Sequence, residues 1–483
     1  MPKKRVIFLV LILAASGVLA FLAFILLKPE ADASAAAEIP PVEYILQLEG
    51  IKSVTVKNAE GEFTVFPGKP EAEQSADAAP DSAGPFIAGF EDSAMSDWDL
   101  GRMLEIPAGL ISRGLVDEAP AELAPFGLDP PRAEVRVETE SGRAVLYLGN
   151  DAPDGSSVYT AKEGDSAVYL AESWSLGNFF KRALDFADLS VTPAPVDDGA
   201  GSFVCDSIRL GGAVRRGEEI TVLKESRTGD ASEGIMEGPF RLTSPLEARF
   251  SLDKGAPILQ GIFGIRASRA VAKDPDLAAY GLADPWSTVS VSGTLEKGLG
   301  GFAVRASRPD SAGNVYLMKE GSNLVFEAAA SALPWLSVSW FDLMEKLITL
   351  PFIDSVAAVE VRMPERTVEF TLSGEEDELK VRAGGIDVDT SVFRSYYQTL
   401  LTASYEDRTD ISPASLPAPF LEIVYRYRGE KDPERIRFYS TGSRRVLVNY
   451  NGGSVFSTYS AYTDKVIADL DQVLAGQKVL PYL

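Results

Sequence analysis

The chain has 483 residues, enough for several domains or for one domain repeated. It carries 46 Lys plus Arg against 70 Asp plus Glu, and this net charge of −24 removes the basic footprint that nucleic-acid binding needs. It has no histidine and one cysteine, Cys205. That excludes His-based triads and dyads, His-ligated zinc, internal disulfides and Cys-Cys metal motifs.

The first predicted element is a membrane span. Lys3-Lys4-Arg5 precede an uncharged stretch of Leu, Ile, Val, Phe and Ala from Val6 to Leu27. As a helix rising about 1.5 Å per residue it would reach roughly 33 Å, the depth of a bilayer's hydrocarbon core. Basic residues before the span and acidic Glu30 and Asp32 after it place the N-terminus in the cytoplasm and the bulk of the chain outside the cytoplasmic membrane. A cleavable signal peptide is the rival reading, with a small-residue site at Ala33-Ser34-Ala35. The apolar run is longer than such peptides use, which favours a retained signal anchor at residues 6–27. Residues 1–28 are then the basic tip and anchor, and 29–41 an Ala-rich tether.

Beyond the tether the chain repeats itself. Lys52-Ser53-Val54, Asp206-Ser207-Ile208 and Asp354-Ser355-Val356 each open a strand pair, at a spacing of roughly 150 residues. Residues 67–97, rich in Pro, Ala, Ser, Gly and acid, read as a flexible insertion. Ala124-Pro125-Phe126-Gly127-Leu128-Asp129-Pro130-Pro131 is echoed by Ala278-Ala279-Tyr280-Gly281-Leu282-Ala283-Asp284-Pro285, and Gly127 and Gly281 keep the offset of Ser53 and Ser207. Alternating strands follow at Ala133–Val137 and Thr288–Val291. Hairpins are predicted at Val158–Ala161 with Ala167–Leu170, and at Val315–Met318 with Leu324–Phe326. Closing helices are predicted over Trp174–Phe186 and Leu333–Leu347.

A third, degenerate copy keeps strands at Glu422–Tyr427, Arg435–Phe438 and Val446–Tyr450, an inner helix at Ser391–Thr402 and a last helix at Tyr462–Leu474. Leu416-Pro417-Ala418-Pro419 stands where its Gly-Leu turn belongs. The prediction is an α+β protein: an N-terminal transmembrane helix, then three repeated units of antiparallel sheet with packed helices. The units would be residues 42–197, 202–353 and 354–479, with Pro193–Gly201 as the first linker.

The ordered set of aromatic-Gly-Leu turn, alternating strand, Leu148-Gly149, Val158-Tyr159, Val168-Tyr169-Leu170 and helix resembles the bacterial family called domain of unknown function 4340. The second unit keeps Tyr280-Gly281-Leu282 and Val315-Tyr316 but no clear Leu-Gly pair. The resemblance implies a single N-terminal membrane helix and association with ABC-type export systems and gliding-motility-type components. It implies no catalytic residues, and we assign no catalytic, cofactor or metal site.

Several clusters offer chemistry beside plainer roles. Asp151 with Asp154, Glu375-Glu376-Asp377-Glu378, and Asp387 with Asp389 could be calcium ligands or glycosidase carboxylates, but they lack the calcium-loop spacing and suit turns. Gly211-Gly212 and Gly384-Gly385 lie between strands and suit hairpins or bulges better than phosphate loops. Trp174, Phe179, Phe180, Trp335, Trp340 and Phe341 suit core packing, or a docking face for a membrane partner. Cys205 reads as a small buried residue rather than a reactive thiol. The expected function is a non-catalytic, membrane-anchored extracytoplasmic accessory or scaffold protein of a bacterial envelope complex, partnered by ABC-type transporter subunits. Alternatives are a glycan or peptidoglycan-binding module using Tyr425, Tyr427, Phe438 and Tyr439, and a carboxylate-dependent hydrolase.

Overall fold

A computed structural model describes residues 42–68, 84–194, 203–224, 240–295 and 301–480. The described residues of Met1–Glu91 and Asp97–Ala183 form one compact unit, and those of Asp92–Ser96 and Leu184–Leu483 another. The span expected at residues 6–27 lies outside the described residues; among those described, no helix is long and apolar enough to cross a membrane.

The first unit is built on an eight-stranded antiparallel sheet. Its order is Phe86–Ile87, Gly61–Phe66, Ile51–Asn58, Ala133–Thr139, Arg143–Asp151, Ser157–Lys162, Val168–Glu172 and Gly114–Asp117. Alternation sets its faces: Ala133, Val135 and Val137 are buried, while Glu134, Arg136 and Glu138 between them face outward. Helix α1 (Asp97–Glu105) packs Leu100 and Met103 into this core. Its acidic first-turn Asp97 and Asp99 and last-turn Arg102 match the helix dipole. A two-stranded ribbon pairs Tyr44–Leu46 with Leu110–Ile111. The described chain therefore holds four sheets, three large and one small, where three were expected.

Two nine-stranded antiparallel sheets make up the second unit. One runs Ala248–Arg249, Phe240–Ser244, Ile220–Lys224, Phe203–Gly211, Ser287–Leu295, Phe302–Ala306, Asn314–Lys319, Leu324–Ala329 and Arg269–Lys273. The other runs Ile386–Val388, Lys380–Ala383, Arg366–Ser373, Val356–Met363, Leu421–Tyr427, Glu434–Ser440, Arg445–Tyr450, Val455–Tyr459 and Asp407–Arg408.

All three large sheets are threaded alike. The first long strand lies inside the sheet, and the chain meanders from it to one edge. It then forms a helix and lays a short strand on the opposite edge (Gly114–Asp117, Arg269–Lys273, Asp407–Arg408). Next it returns beside the first strand and meanders outward to meet that short strand. In the first two sheets a bulge falls at the same place, between Ile51 and Ser53 and between Cys205 and Ser207, where the Ser-Val and Ser-Ile pairs recur.

The remaining helices show where the sequence pattern misled. Trp174–Phe186 is not one helix but α2 (Ser173–Leu176) and 3-10 turns at Gly177–Phe180 and Ala183–Phe186. Helix α3 (Leu252–Gln260) is the second sheet's inner helix, formed despite Pro257 and Gly255. Leu333–Leu347 keeps only α4 (Trp340–Leu343), one turn started by a Ser339–Asp342 capping box. Helices α5 (Thr390–Leu401) and α6 (Ser460–Leu474) match expectation. The Asp389 carboxylate caps α5 by accepting from the Ser391 and Val392 amides. The two helices lock together through the Tyr396 hydroxyl on the Val466 carbonyl (3.1 Å) and the Tyr462 hydroxyl on the Leu400 carbonyl (3.0 Å).

Two boundaries also move. Of the expected insertion, residues 69–83 lie outside the described residues, but Phe86–Ile87 is a buried edge strand. Its two apolar side chains fill the core beside Val65 and Phe66, so this part is not a free loop. The first unit ends at Ala183 rather than at residue 197, and Leu189 and Val191 belong to the second, where the Val191 amide donates to the Ile265 carbonyl and the Ala267 amide to the Leu189 carbonyl.

Candidate functional site

The Gly-Leu turns come first because they carry the sequence repeat. Gly127 and Gly281 both sit at φ +67°, the left-handed region that glycine alone enters freely. At the first turn, a Cβ on Gly127 would fall 2.4 Å from the Asn150 side chain, and one on Gly149 2.2 Å from the Phe126 carbonyl oxygen. Leu128 and Leu282 point into the cores. The aromatic before each glycine stacks edge-on against the tyrosine of the Val-Tyr pair: Phe126 on Tyr159 and Tyr280 on Tyr316, both with centroids 5.1 Å apart. The motif is therefore a packing device joining a turn to a neighbouring strand.

The acidic candidates are dispersed: Asp151, Asp154, Glu375, Asp387 and Asp389 have local partners, while Glu376, Asp377 and Glu378 make an exposed 3-10 turn. Asp154 accepts from the Ser157 hydroxyl and from the Ser156 and Ser157 amides, and these bonds, the hydroxyl's foremost, hold its carboxyl below the usual range. Asp151 pairs with Arg132, Asp387 with Arg382, and Glu375 with Arg428. Among the described residues no group of three or more carboxylate or thiol ligands converges as a metal site would require.

The other candidates divide clearly. Gly212, at φ +93°, lies so close to the Trp286 carbonyl that a Cβ would be 2.6 Å from it, and a short 3-10 turn follows. Gly384 and Gly385 form the turn between paired strands. Cys205 is buried, and burial, with the neighbouring Asp206 charge, pushes its thiol up to about 12. Phe179, Trp335 and Trp340 are core residues, while Trp174 stays exposed. Tyr425, Tyr427, Phe438 and Tyr439 are all buried, because the strands carrying them face helices or neighbouring chain, and this removes the aromatic platform that glycan stacking needs.

Three buried polar assemblies had no counterpart in the sequence reading. Arg215 is 4% exposed. Its guanidinium donates to the carbonyls of Val338 (2.8 Å), Gly211 (3.2 Å) and Trp335, and to the Ser287 hydroxyl (2.8 Å). Burial lowers it to about 10. On the third sheet, buried Glu360 accepts from Arg362 and Arg426, and buried Glu422 from Arg362 (3.0 Å) and Arg437 (2.8 Å). Burial opposes ionisation of Glu360, yet the two arginines hold its carboxyl low.

The third assembly lines a cavity of about 500 Å³ in the second unit, where Leu347–Pro351 passes the third sheet. Lys431 lies 2.8 Å from one oxygen of buried Glu434, and the Thr349 hydroxyl donates to the other. The buried Tyr427 hydroxyl lies near this carboxylate without good hydrogen-bond geometry. Burial acts against the charge on Glu434, but Lys431 and Thr349 keep its carboxyl below the usual range. A general acid needs the opposite shift. An ionised carboxylate engaged on both oxygens is suited to tying the connecting segment to the sheet.

Residues 97–197 and 241–419 match the family described as Domain of unknown function (DUF4340), more than half of the chain. The chain belongs to that family. The first match begins at α1 and takes in the Gly127 turn and the strands after it; the second contains α3, the Gly281 turn and α5, and stops just before Leu421–Tyr427. No curated protein and no solved structure matches the chain.

Proposed function

We propose that this family member is a non-catalytic, membrane-anchored accessory or scaffold component of a bacterial envelope complex, with an ABC-type transporter as its partner. The observation that carries the reading is one strand order recurring in three large sheets, which we take as three copies of one unit. Repetition of this kind enlarges surface rather than shaping a cleft. The use of Asp154 in a turn, Asp389 in a helix cap and Asp151 in an ion pair agrees with it. Residues 6–27 are the anchor in this reading, and Lys3-Lys4-Arg5 hold the N-terminus in the cytoplasm. The transporter comes from the resemblance to the family.

Proteolysis tests the topology directly. Protease added to spheroplasts should digest everything beyond the anchor, while intact cells protect it. Protection in spheroplasts, with digestion only after lysis of the inner membrane, would place the sheets in the cytoplasm and overturn the reading.

A further inference from the structure

The first unit exposes two tryptophans, Trp98 at 76% and Trp174 at 68%. They belong to one patch. Trp98 and Arg102 are one turn apart on α1, on the face opposite the buried Leu100 and Met103. The Arg102 guanidinium lies 4.8 Å from the Trp174 ring centroid. Trp174 and Arg102 line a groove of about 310 Å³ with Ile106, Leu110 and Ile111. Ile111 is exposed and pairs with exposed Tyr44 in the ribbon, and exposed Val42 lies two residues before it. The Trp174 indole N–H donates to Glu172, which also binds Arg113, so the polar edge of the ring is engaged while most of the side chain, stacked by Arg102, stays exposed.

We propose that this patch seats in the headgroup region of the lipid bilayer that holds residues 6–27. The proposal rests on the anchor reading above. The patch contains Val42 and Tyr44, where the described chain starts, and only residues 28–41 separate them from the expected span. Those residues can reach at most about 50 Å even fully extended. The first unit is thus tethered near a bilayer by the strand end that carries the patch. Tryptophan and tyrosine are the side chains that favour the membrane–water boundary, where an apolar ring and a polar edge are both satisfied. The rim carries Arg102 and Arg113 against Glu105 and Glu172, so its charges balance and the seating draws on the aromatic and apolar side chains rather than on attraction to anionic lipid.

The test uses the full-length chain reconstituted into phosphatidylcholine vesicles whose acyl chains are brominated next to the headgroup. Tryptophan emission is compared with that in unbrominated vesicles. The proposal expects quenching of the wild type and loss of at least about two-thirds of it in Trp98→Ser/Trp174→Ser. Single Trp98→Phe and Trp174→Phe variants, which keep an apolar ring, should each remove one quenched emitter, so the result survives if the serine variant misfolds. Trp286→Phe in the second unit should leave the quenching unchanged. Flotation of the vesicles is read separately: a chain that does not float refutes the anchor itself. A chain that floats with Trp98 and Trp174 unquenched refutes the seating alone. If those tryptophans become shielded only when a membrane protein partner is added, the patch is a protein interface and the proposal is overturned.

Discussion

Replacing Arg215 tests how the second sheet is held to the chain that follows it. The guanidinium makes four hydrogen bonds, to three carbonyls and the Ser287 hydroxyl, in a site that is 4% exposed. Bonds from a charged donor contribute about 1.5–3 kcal/mol each, roughly 6–12 kcal/mol in all. Against this stands the cost of burying the charge. The fall from 12.5 to about 10 corresponds to roughly 3 kcal/mol, to order of magnitude. Removing the side chain should therefore cost about 3–6 kcal/mol once part of the site relaxes. Arg215→Met tests this in urea unfolding followed by tryptophan emission, since Trp335 and Trp340 lie within the affected core. Arg215→Lys should be no better, because it keeps the buried charge and loses the planar fork. A methionine variant within about 0.5 kcal/mol of wild type would refute the reasoning, because the acceptors would then be content without their donor.

Other consequences follow from single contacts. Gly127→Ala should destabilise by at least about 2 kcal/mol and Gly281→Ala by about 1 kcal/mol, since both pay the positive-φ cost but only the first meets a side chain at 2.4 Å. An Asn150→Ala background should bring the first down to the second, as thermal denaturation would report. Burial pushes the phenols of Tyr396, Tyr425 and Tyr462 up, so the unfolded chain releases those protons first and stability falls as pH rises above about 10. In an alkaline absorbance titration they should ionise only on unfolding; ionisation of all 16 tyrosines near pH 10 with the fold intact would contradict this. Burial lowers Lys346 from 10.5 to about 8. The unfolded chain then binds the extra proton between those values, so wild type should gain stability relative to Lys346→Met as pH rises from 8 toward 10.5. A difference between the two that does not change with pH would refute it.

The strands were legible because one residue in two faces the core, as in Ala133, Val135 and Val137, and that pattern survives in a single sequence. Repetition of the Gly-Leu turn was legible for a physical reason too: φ +67° requires glycine, and the ring before it needs the tyrosine it stacks on. Helices were harder to read. Aromatics at Trp174, Phe179 and Phe186 imitate a helical stripe, yet Gly177 lies in a tighter 3-10 turn that breaks the run. α3 hid behind Gly255 and Pro257, and Gly255 is there because a Cβ would strike the Phe250 ring at 2.2 Å. α1 presents only Leu100 and Met103 to the core and follows an acidic, Ala-rich stretch, so its apolar pattern is too sparse to mark its bounds. Arg215, Glu422 and Glu434 were invisible for another reason. Their partners lie far along the chain, at Val338, Arg362 and Thr349, and local composition carries no trace of pairings set by sheet register.

The central claim is the accessory role, and capture from native membranes measures it most directly. A tagged full-length chain and a tagged chain with residues 6–27 replaced by an unrelated span would be extracted in mild detergent, and the eluates quantified by mass spectrometry. The account predicts the permease and ATPase of an ABC-type exporter in fixed proportion to the bait; recovery with both chains would put the contact in the repeated sheets, and recovery with the native anchor alone would put it in residues 6–27. Eluates of both chains without any enriched transporter subunit would contradict it.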